Sequence, residues 1–117
     1  MSQTIVALAT PTGRSGIGVI RISGDAAMSI TQKMTGGDGL LLRPRQASLR
    51  KLFYPSTNEV IDEAVITYFP GPRSFTGEDV VEISCHGSPV LLRQVIDICL
   101  ELDARMAEPG EFTLRAL

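Results

Sequence analysis

The stretch Phe69–Gly87 constrains the fold more than any other part of the chain. It opens with a Pro-Gly-Pro turn and runs into Val80–His86, where alternate residues are apolar, the period of two that is typical of a β-strand. Glu82 lies in the middle of this strand, on the face opposite its most apolar side chains. Because a buried carboxylate is costly unless it is paired or hydrogen-bonded, Glu82 is either a surface residue or part of a site.

Length and charge indicate a single domain that does not bind nucleic acid by itself. The chain has 117 residues, so we expect residues 1–117 to form one domain with its own core. Its formal net charge is −2, and its eleven Lys and Arg residues are scattered along the chain. A stand-alone nucleic-acid binder should carry a basic stripe. Any RNA partner would therefore have to be held by something else.

Cysteine usage and the N-terminal sequence favour a cytoplasmic protein. The two cysteines, Cys85 and Cys99, belong to no CxxC motif or metal-type cluster, and we expect them to be reduced. The N-terminus lacks the basic region and long apolar run of a secretory signal. No segment approaches the roughly 18 apolar residues needed to cross a membrane. We expect neither secretion nor membrane insertion.

Further strands are predicted along the chain. Apolar runs indicate strands at Thr4–Ala9 and Gly18–Ser23. Ser48–Tyr54 and Glu63–Phe69 form a predicted hairpin, because the segment PSTNE between them is rich in turn-forming residues. A short last strand is predicted at Ala104–Ala107.

Two main helices accompany these strands. Ser23 and Asp25 are good N-caps for a helix at Ala26–Met34, and Ser88 followed by proline starts a helix at Pro89–Leu102. A single helical turn is predicted at Thr76–Asp79, and a final helix begins at Glu111 and is cut by the end of the sequence. The prediction is an α+β fold, in which two main helices pack on a mixed, largely antiparallel sheet of about five or six strands.

A glycine-rich loop, Thr10–Gly18, does not match the known phosphate-binding motifs. The Walker pattern needs a final Gly-Lys-Ser/Thr, which is absent. The dinucleotide fingerprint fails as well, because Arg21 stands where its third glycine would be. The loop is predicted to be a tight turn or a close approach of backbone to a ligand.

The adjacent residues Cys85 and His86 do not make a catalytic pair. Neighbours on a strand point to opposite faces of the sheet, so the thiol and the imidazole cannot meet. His86 also lacks a second metal ligand nearby in the sequence. We predict no catalytic residue and no metal site.

Arg21 is a cation on the largely apolar strand Gly18–Ser23. Taken alone, it is most simply an edge residue whose guanidinium reaches water. If its strand lies beside that of Glu82 with the same face presented, the two side chains line one pocket. There they form an internal ion pair, or each holds part of a ligand. A carboxylate accepts two parallel bonds from an N–H/NH₂ edge, and arginine binds a carboxylate or carbonyl in the same way.

Three segments resemble signatures of one known family. They are TIVALATPTGRSGIGVIRISG, FPGPRSFTGEDVVEISCHG and PGEFTLRA, in this order along nearly the whole chain. Together they resemble the bacterial tRNA-modification GTPases of the MnmE family, also called TrmE. Thr12 and Ser15 stand where many members have proline and glycine.

The resemblance implies the family's N-terminal domain, which binds a tetrahydrofolate derivative, typically 5-formyltetrahydrofolate, and forms a homodimer. The fold implied is similar to the folate-binding modules of aminomethyltransferases. The family's folate-contacting arginine and glutamate fall on Arg21 and Glu82, and Thr76 and Arg115 are further candidates. Glu82 would bind the aminopyrimidinone edge of the pterin.

The resemblance also implies a larger parent enzyme. This parent would hydrolyse GTP and use magnesium and potassium as cofactors. Together with the flavoprotein MnmG (GidA), it would modify the wobble uridine of tRNA. The tRNA would bind only to the full complex. This chain contains no GTPase motif and stops before the family's Asn-x-Lys stretch, so we expect no GTP hydrolysis by it. A purely structural dimerisation module, with Arg21–Glu82 as an internal ion pair, is the alternative. A stand-alone one-carbon transferase is disfavoured because the chain offers no nucleophile.

Overall fold

A computed structural model describes residues 3–10, 16–37 and 42–117. Most of the predicted loop Thr10–Gly18 lies outside these ranges. The elements in chain order are β1 Ile5–Leu8, β2 Ile17–Ser23, α1 Ala27–Met34, β3 Ser48–Phe53, β4 Val60–Phe69, β5 Val80–His86, α2 Pro89–Glu101, β6 Arg105–Met106 and α3 Glu111–Ala116.

The six strands form one sheet in the order β3-β4-β5-β2-β1-β6. Every neighbouring pair is antiparallel except β1 and β6, which are parallel. The predicted mixed, largely antiparallel sheet is therefore confirmed, as are the hairpin β3–β4 and the bounds of β5. Two backbone hydrogen bonds join β6 to β1. The N–H of Arg105 donates to the carbonyl of Thr4 at 3.0 Å, and the N–H of Ala107 donates to the carbonyl of Val6 at 3.0 Å.

Helices α1 and α2 cover one face of the sheet. Their apolar stripes pack on the inward residues of the central strands, and the cluster formed there is fully or almost fully buried. Gly18 allows α2 to approach β2 closely, because a Cβ at this position would lie 2.6 Å from Cδ2 of Leu92. Ser88 caps α2, accepting the N–H of Leu91 at 3.3 Å, and Pro89 occupies its first turn, as predicted. No helix in the described ranges is long and apolar enough to span a membrane.

The predicted caps of α1 are wrong. Its N-cap is Ala26, and no side chain caps the helix. The hydroxyl of Thr4, the residue before β1, instead accepts the N–H of Ala26 at 3.0 Å. Ser23 is fully buried and its hydroxyl bonds elsewhere, so a tertiary contact has overridden the local capping preference.

The other face of the sheet, here called the open face, is not covered by α1 or α2. One row of directly paired residues crosses it: Leu49 opposite Val65, Val65 opposite Ser84, and Ser84 opposite Val19. The side chains of Leu49 and Val65 are exposed. The elements that pack on this face near Arg21 are α3 and the loop between β4 and β5.

The segment 70–79, here called the β4–β5 loop, contains no helical turn, contrary to the prediction for Thr76–Asp79. It is closed by its own hydrogen bonds. Asp79 Oδ1 accepts the N–H of Gly71 at 2.9 Å, and the hydroxyl of Ser74 donates to the carbonyl of Glu78. The hydroxyl of Thr76 accepts the N–H of Glu78 at 3.3 Å, which is a Thr turn rather than a helix cap.

Candidate functional site

Arg21 and Glu82 are directly opposite residues on adjacent antiparallel strands, β2 and β5. The Nε and Nη2 atoms of Arg21 donate to Oε2 of Glu82 at 2.9 and 2.7 Å. The interpretation of Arg21 as an edge residue is wrong, because β2 lies between β5 and β1 in the interior of the sheet. Arg21 and Glu82 therefore lie on the same face of two neighbouring strands, as a shared pocket requires.

The pair uses only part of its hydrogen-bonding capacity. Both bonds fall on Oε2, so among the described residues neither Oε1 of Glu82 nor Nη1 of Arg21 has a partner. Each side chain is 29% exposed. Among the described residues the site therefore retains one unused acceptor and one unused donor at a partly solvated position, and a ligand with complementary groups can bind them.

Two phenylalanine rings approach the same guanidinium. The Cζ atom of Arg21 is 5.6 Å from the ring centroid of Phe75 and 6.0 Å from that of Phe112. Both distances are within the range of cation–π attraction. Phe75 belongs to the β4–β5 loop and Phe112 to α3, so two segments distant in sequence bring aromatic surface to one charge. Neither ring is predicted from the sequence.

A cleft of about 350 Å³ lies beside Arg21. Its walls are the end of β1, which carries Ala7 and Leu8, and the segment from Ala107 through Phe112. Ala7 is the β1 residue directly opposite Arg21 in the sheet. Because these β1 side chains are small or apolar, the charged groups of the cleft come from Arg21 and from the 107–113 segment.

Thr76 is bonded to Ser23 of β2 rather than to the Arg21–Glu82 pair. Its side chain is almost fully buried, and its hydroxyl is 2.7 Å from that of Ser23. The Ser23 hydroxyl donates to Oε1 of Glu78 at 2.8 Å. Ser23 has one proton to give, so the hydroxyl of Thr76 donates to Ser23. These bonds fasten the β4–β5 loop to β2 at a position two residues from Arg21.

Arg115, the other further candidate, joins α3 to two distant parts of the chain. Its Nη1 donates to Oε1 of Glu78 at 2.8 Å, and its Nη2 donates to the carbonyl of Gln3 at 2.8 Å and to Oε2 of Glu111 at 3.1 Å. Among the described residues, no hydrogen bond or ion pair joins Arg115 or Thr76 to Arg21 or Glu82. In this structure both candidates belong to the polar framework around the pair.

Glu111 is the most heavily bonded carboxylate of that framework. Arg105 donates to it from both Nη atoms, at 2.7 and 2.5 Å, and the N–H of Glu108 donates at 2.8 Å. The hydrogen bonds from Arg105, helped by the N–H of Glu108, lower the pKa of Glu111 to about 2. An ion-pair chain thus runs from Arg105 through Glu111 and Arg115 to Glu78. Glu111 and Arg115 are four positions apart on α3, a spacing that signals a helical ion pair, but the links to Arg105 and Glu78 leave no local signal in the sequence.

Cys85 and His86 point to opposite faces, as predicted. Burial, with a smaller contribution from Asp62, raises the pKa of Cys85 to about 11, so the thiolate nucleophile is suppressed. His86 is exposed, and its Nδ1 lies 2.9 Å from Asp62 Oδ1. Cys99 is buried as well, and neither cysteine is in a disulfide. Within the described ranges no three His, Cys, Asp or Glu side chains are grouped so as to hold a metal ion.

The fold and the cleft together define an α+β domain with a polar site on the open face of its sheet. A family model described as "GTP-binding protein TrmE N-terminus" matches residues 4–117, and the chain belongs to this family.

Three curated relatives carry the name "tRNA modification GTPase MnmE". The relative from Nitrosomonas eutropha is 49% identical over 98% of this chain and 25% of its own length. Those from Laribacter hongkongensis and Legionella pneumophila are each 50% identical, over 99% and 97% of this chain and 25% of their own lengths. The chain therefore matches the N-terminal domain of these enzymes and spans about a quarter of their length.

Proposed function

We propose that the chain binds a tetrahydrofolate derivative of the 5-formyltetrahydrofolate type through Arg21 and Glu82. The observation that carries this proposal is the half-used ion pair beside a cleft: among the described residues Oε1 of Glu82 and Nη1 of Arg21 have no partner, and Arg21 lines the cleft. The aminopyrimidinone edge of a pterin has an N–H and an NH₂ for Glu82, and a carbonyl or carboxylate of the ligand complements Arg21.

The activity of the whole protein follows from the family and is part of the proposal. We propose that this domain serves a cytoplasmic GTPase that, with the flavoprotein MnmG, modifies the wobble uridine of tRNA. GTP, magnesium and potassium would bind elsewhere in the parent enzyme, and tRNA would bind the full complex. The name "tRNA modification GTPase" of the curated relatives supports this role.

Homodimerisation is the second part of the proposal, and one observation favours it. The open face exposes Leu49 and Val65 side by side on adjacent strands. A second copy of the chain would remove this apolar surface from water. We expect Val65→Asp to lower the dimer fraction in sedimentation velocity. Val90→Asp, an exposed apolar position on α2, is the control and should leave the dimer fraction unchanged.

The experiment that tests ligand binding is a calorimetric titration of the chain with 5-formyltetrahydrofolate. Glu82→Gln replaces one acceptor oxygen by an NH₂ group that faces the donors of the ligand. We expect it to weaken binding by roughly 1–3 kcal/mol, with the dimer fraction unchanged. Glu63→Gln on β4 makes the same chemical change at an exposed position that does not line this cleft and should bind like the unaltered chain.

The outcomes separate the proposal from its structural alternative. Saturable binding that is lost in a folded Glu82→Gln variant supports the ligand site. Absence of binding by the unaltered chain, together with unfolding of Glu82→Gln, supports an internal ion pair in a dimerisation module. Circular dichroism of each variant reports whether it is folded.

A further inference from the structure

Phe75 and Phe112 reach Arg21 from two segments that bury little of their own surface. No residue of α3 is buried, and Thr76 is the buried residue of the described β4–β5 loop. Phe75 is itself 53% exposed. Such segments are not fixed by a hydrophobic core, so their positions have to be explained by other contacts.

Polar contacts fix both segments on the open face. Hydrogen bonds from Gly71 to Asp79 and from Ser74 to Glu78 close the β4–β5 loop, and Ser23 ties it to β2. The bidentate pair Arg105–Glu111 holds the start of α3 to β6. Because a bidentate arginine–carboxylate pair also fixes orientation, the start of α3, which carries Phe112 directly after Glu111, is held in a defined place.

One ion pair joins the two segments to each other. Arg115 of α3 donates to Oε1 of Glu78 in the β4–β5 loop at 2.8 Å, and the Arg115 side chain is only 12% exposed. The same oxygen accepts the Ser23 hydroxyl from β2. This ion pair therefore links the two segments that carry the rings.

We propose that Phe75 and Phe112 are the aromatic contacts of the ligand site and that Arg115 is a positioning residue that acts through Phe112. This inference rests on the proposed function. Arg21 and Glu82 would bind the polar edge of a planar heteroaromatic ring, and the two phenylalanines would contact its face or edge. Ligand sites commonly combine apolar and aromatic walls with a few fixed polar groups. Offset or edge-to-face contact between rings is favourable at centroid distances of about 4.5–7 Å.

Leucine variants test the aromatic contacts, since leucine keeps an apolar side chain and removes the ring. We expect Phe75→Leu and Phe112→Leu each to weaken binding of 5-formyltetrahydrofolate about three- to tenfold in a calorimetric titration. Their thermal unfolding midpoints should stay close to that of the unaltered chain. Phe53→Leu, the same change on β3 away from the cleft, is the control and should keep full affinity.

The results distinguish this inference from the proposed function beneath it. If the unaltered chain binds and both leucine variants bind equally well, the aromatic contacts are overturned while Arg21–Glu82 binding stands. If the unaltered chain does not bind, the proposed function fails and the inference fails with it. An independent readout comes from Phe112→Trp: the chain contains no other tryptophan, so ligand contact should quench its fluorescence.

A double-mutant cycle tests the positioning role of Arg115. If Arg115 acts through Phe112, Arg115→Gln should weaken binding in the unaltered chain and have little further effect in the Phe112→Leu background. A direct contact between Arg115 and the ligand predicts the same loss in both backgrounds, which would overturn the positioning role. Arg93→Gln removes an exposed arginine pair on α2 and should not change affinity.

Discussion

The carboxylate of Asp62 contacts both the backbone and the ring of His86. Oδ2 accepts the N–H of His86 at 3.1 Å, and Oδ1 lies 2.9 Å from its Nδ1. The last ladder pair of β4 and β5 in this direction is Val65 with Ser84. Beyond this pair, the carboxylate of Asp62 accepts the N–H of His86 in place of a backbone carbonyl of β4, and so fixes the end of β5. Partial burial would raise the pKa of Asp62, but the hydrogen bonds from the backbone and ring of His86 outweigh it and keep this pKa below its ordinary value.

We predict that Asp62→Ala lowers the free energy of unfolding by about 1–2 kcal/mol, since the N–H of His86 and the ring both lose their acceptor. Urea denaturation monitored by circular dichroism measures the change. Glu63→Ala, the exposed neighbour, should stay within about 0.5 kcal/mol of the unaltered chain. Equal stability of the two variants would contradict a structural role for the Asp62 carboxylate.

The contribution of Glu111 to stability should disappear in acid. Its folded-state pKa of about 2 is lower than the ordinary 4.5, so its stabilisation is fully present above about pH 4.5 and is lost as the pH falls through 2. We expect the unfolding temperature of the unaltered chain to exceed that of Glu111→Gln above pH 5, with the difference shrinking towards pH 2. A difference that stays constant over this range would show that the charge of Glu111 plays no part.

Gly24 should tolerate no side chain. Its φ is +138°, and a Cβ would lie 2.7 Å from Cα of Thr4, which is backbone that cannot move aside easily. Gly36 also has a positive φ, +108°, but a Cβ there would meet no atom within 4 Å. We predict that Gly24→Ala is destabilised by about 2 kcal/mol more than Gly36→Ala in chemical denaturation. Similar losses would mean that backbone strain alone accounts for both.

Both thiols should be unreactive in the folded protein. Burial raises the pKa of Cys85 to about 11 and that of Cys99 to about 12, so little thiolate exists at pH 8. We expect no labelling by Ellman's reagent within minutes at pH 8 and complete labelling of both in denaturant. Rapid labelling of the native protein would show that β5 or α2 opens locally.

Local sequence patterns predicted the elements well, and the pairing of distant residues less well. The alternation in Val80–His86 placed β5 correctly and put Glu82 opposite the buried face. Alternation carries no information on strand order, however, so the sequence around Arg21 predicts an edge position, whereas β2 is an interior strand.

Apart from the i, i+4 pair Glu111–Arg115, the hydrogen bonds and ion pairs around Arg21 and Glu82 join residues that no local sequence pattern relates. Ser23 looked like a helix cap, but its hydroxyl bonds to Glu78, which is 55 positions away. The two phenylalanines stand in a loop and in a six-residue helix, where too few residues surround them to show a periodic pattern. Such features become visible only when tertiary packing brings the segments together.

The pairing of β2 with β5 has a consequence for the order in which the domain assembles. Strands β1 and β2 form one group, and strands β3, β4 and β5 form another; within each group the paired strands follow one another along the chain. Arg21 and Glu82 join the two groups and are 61 positions apart. Closing this long loop costs chain entropy, so the joint between β2 and β5 should form late in folding. A molecule that contacts both side chains then binds only chains in which the two halves have joined, and by mass action it protects the folded state from separating there.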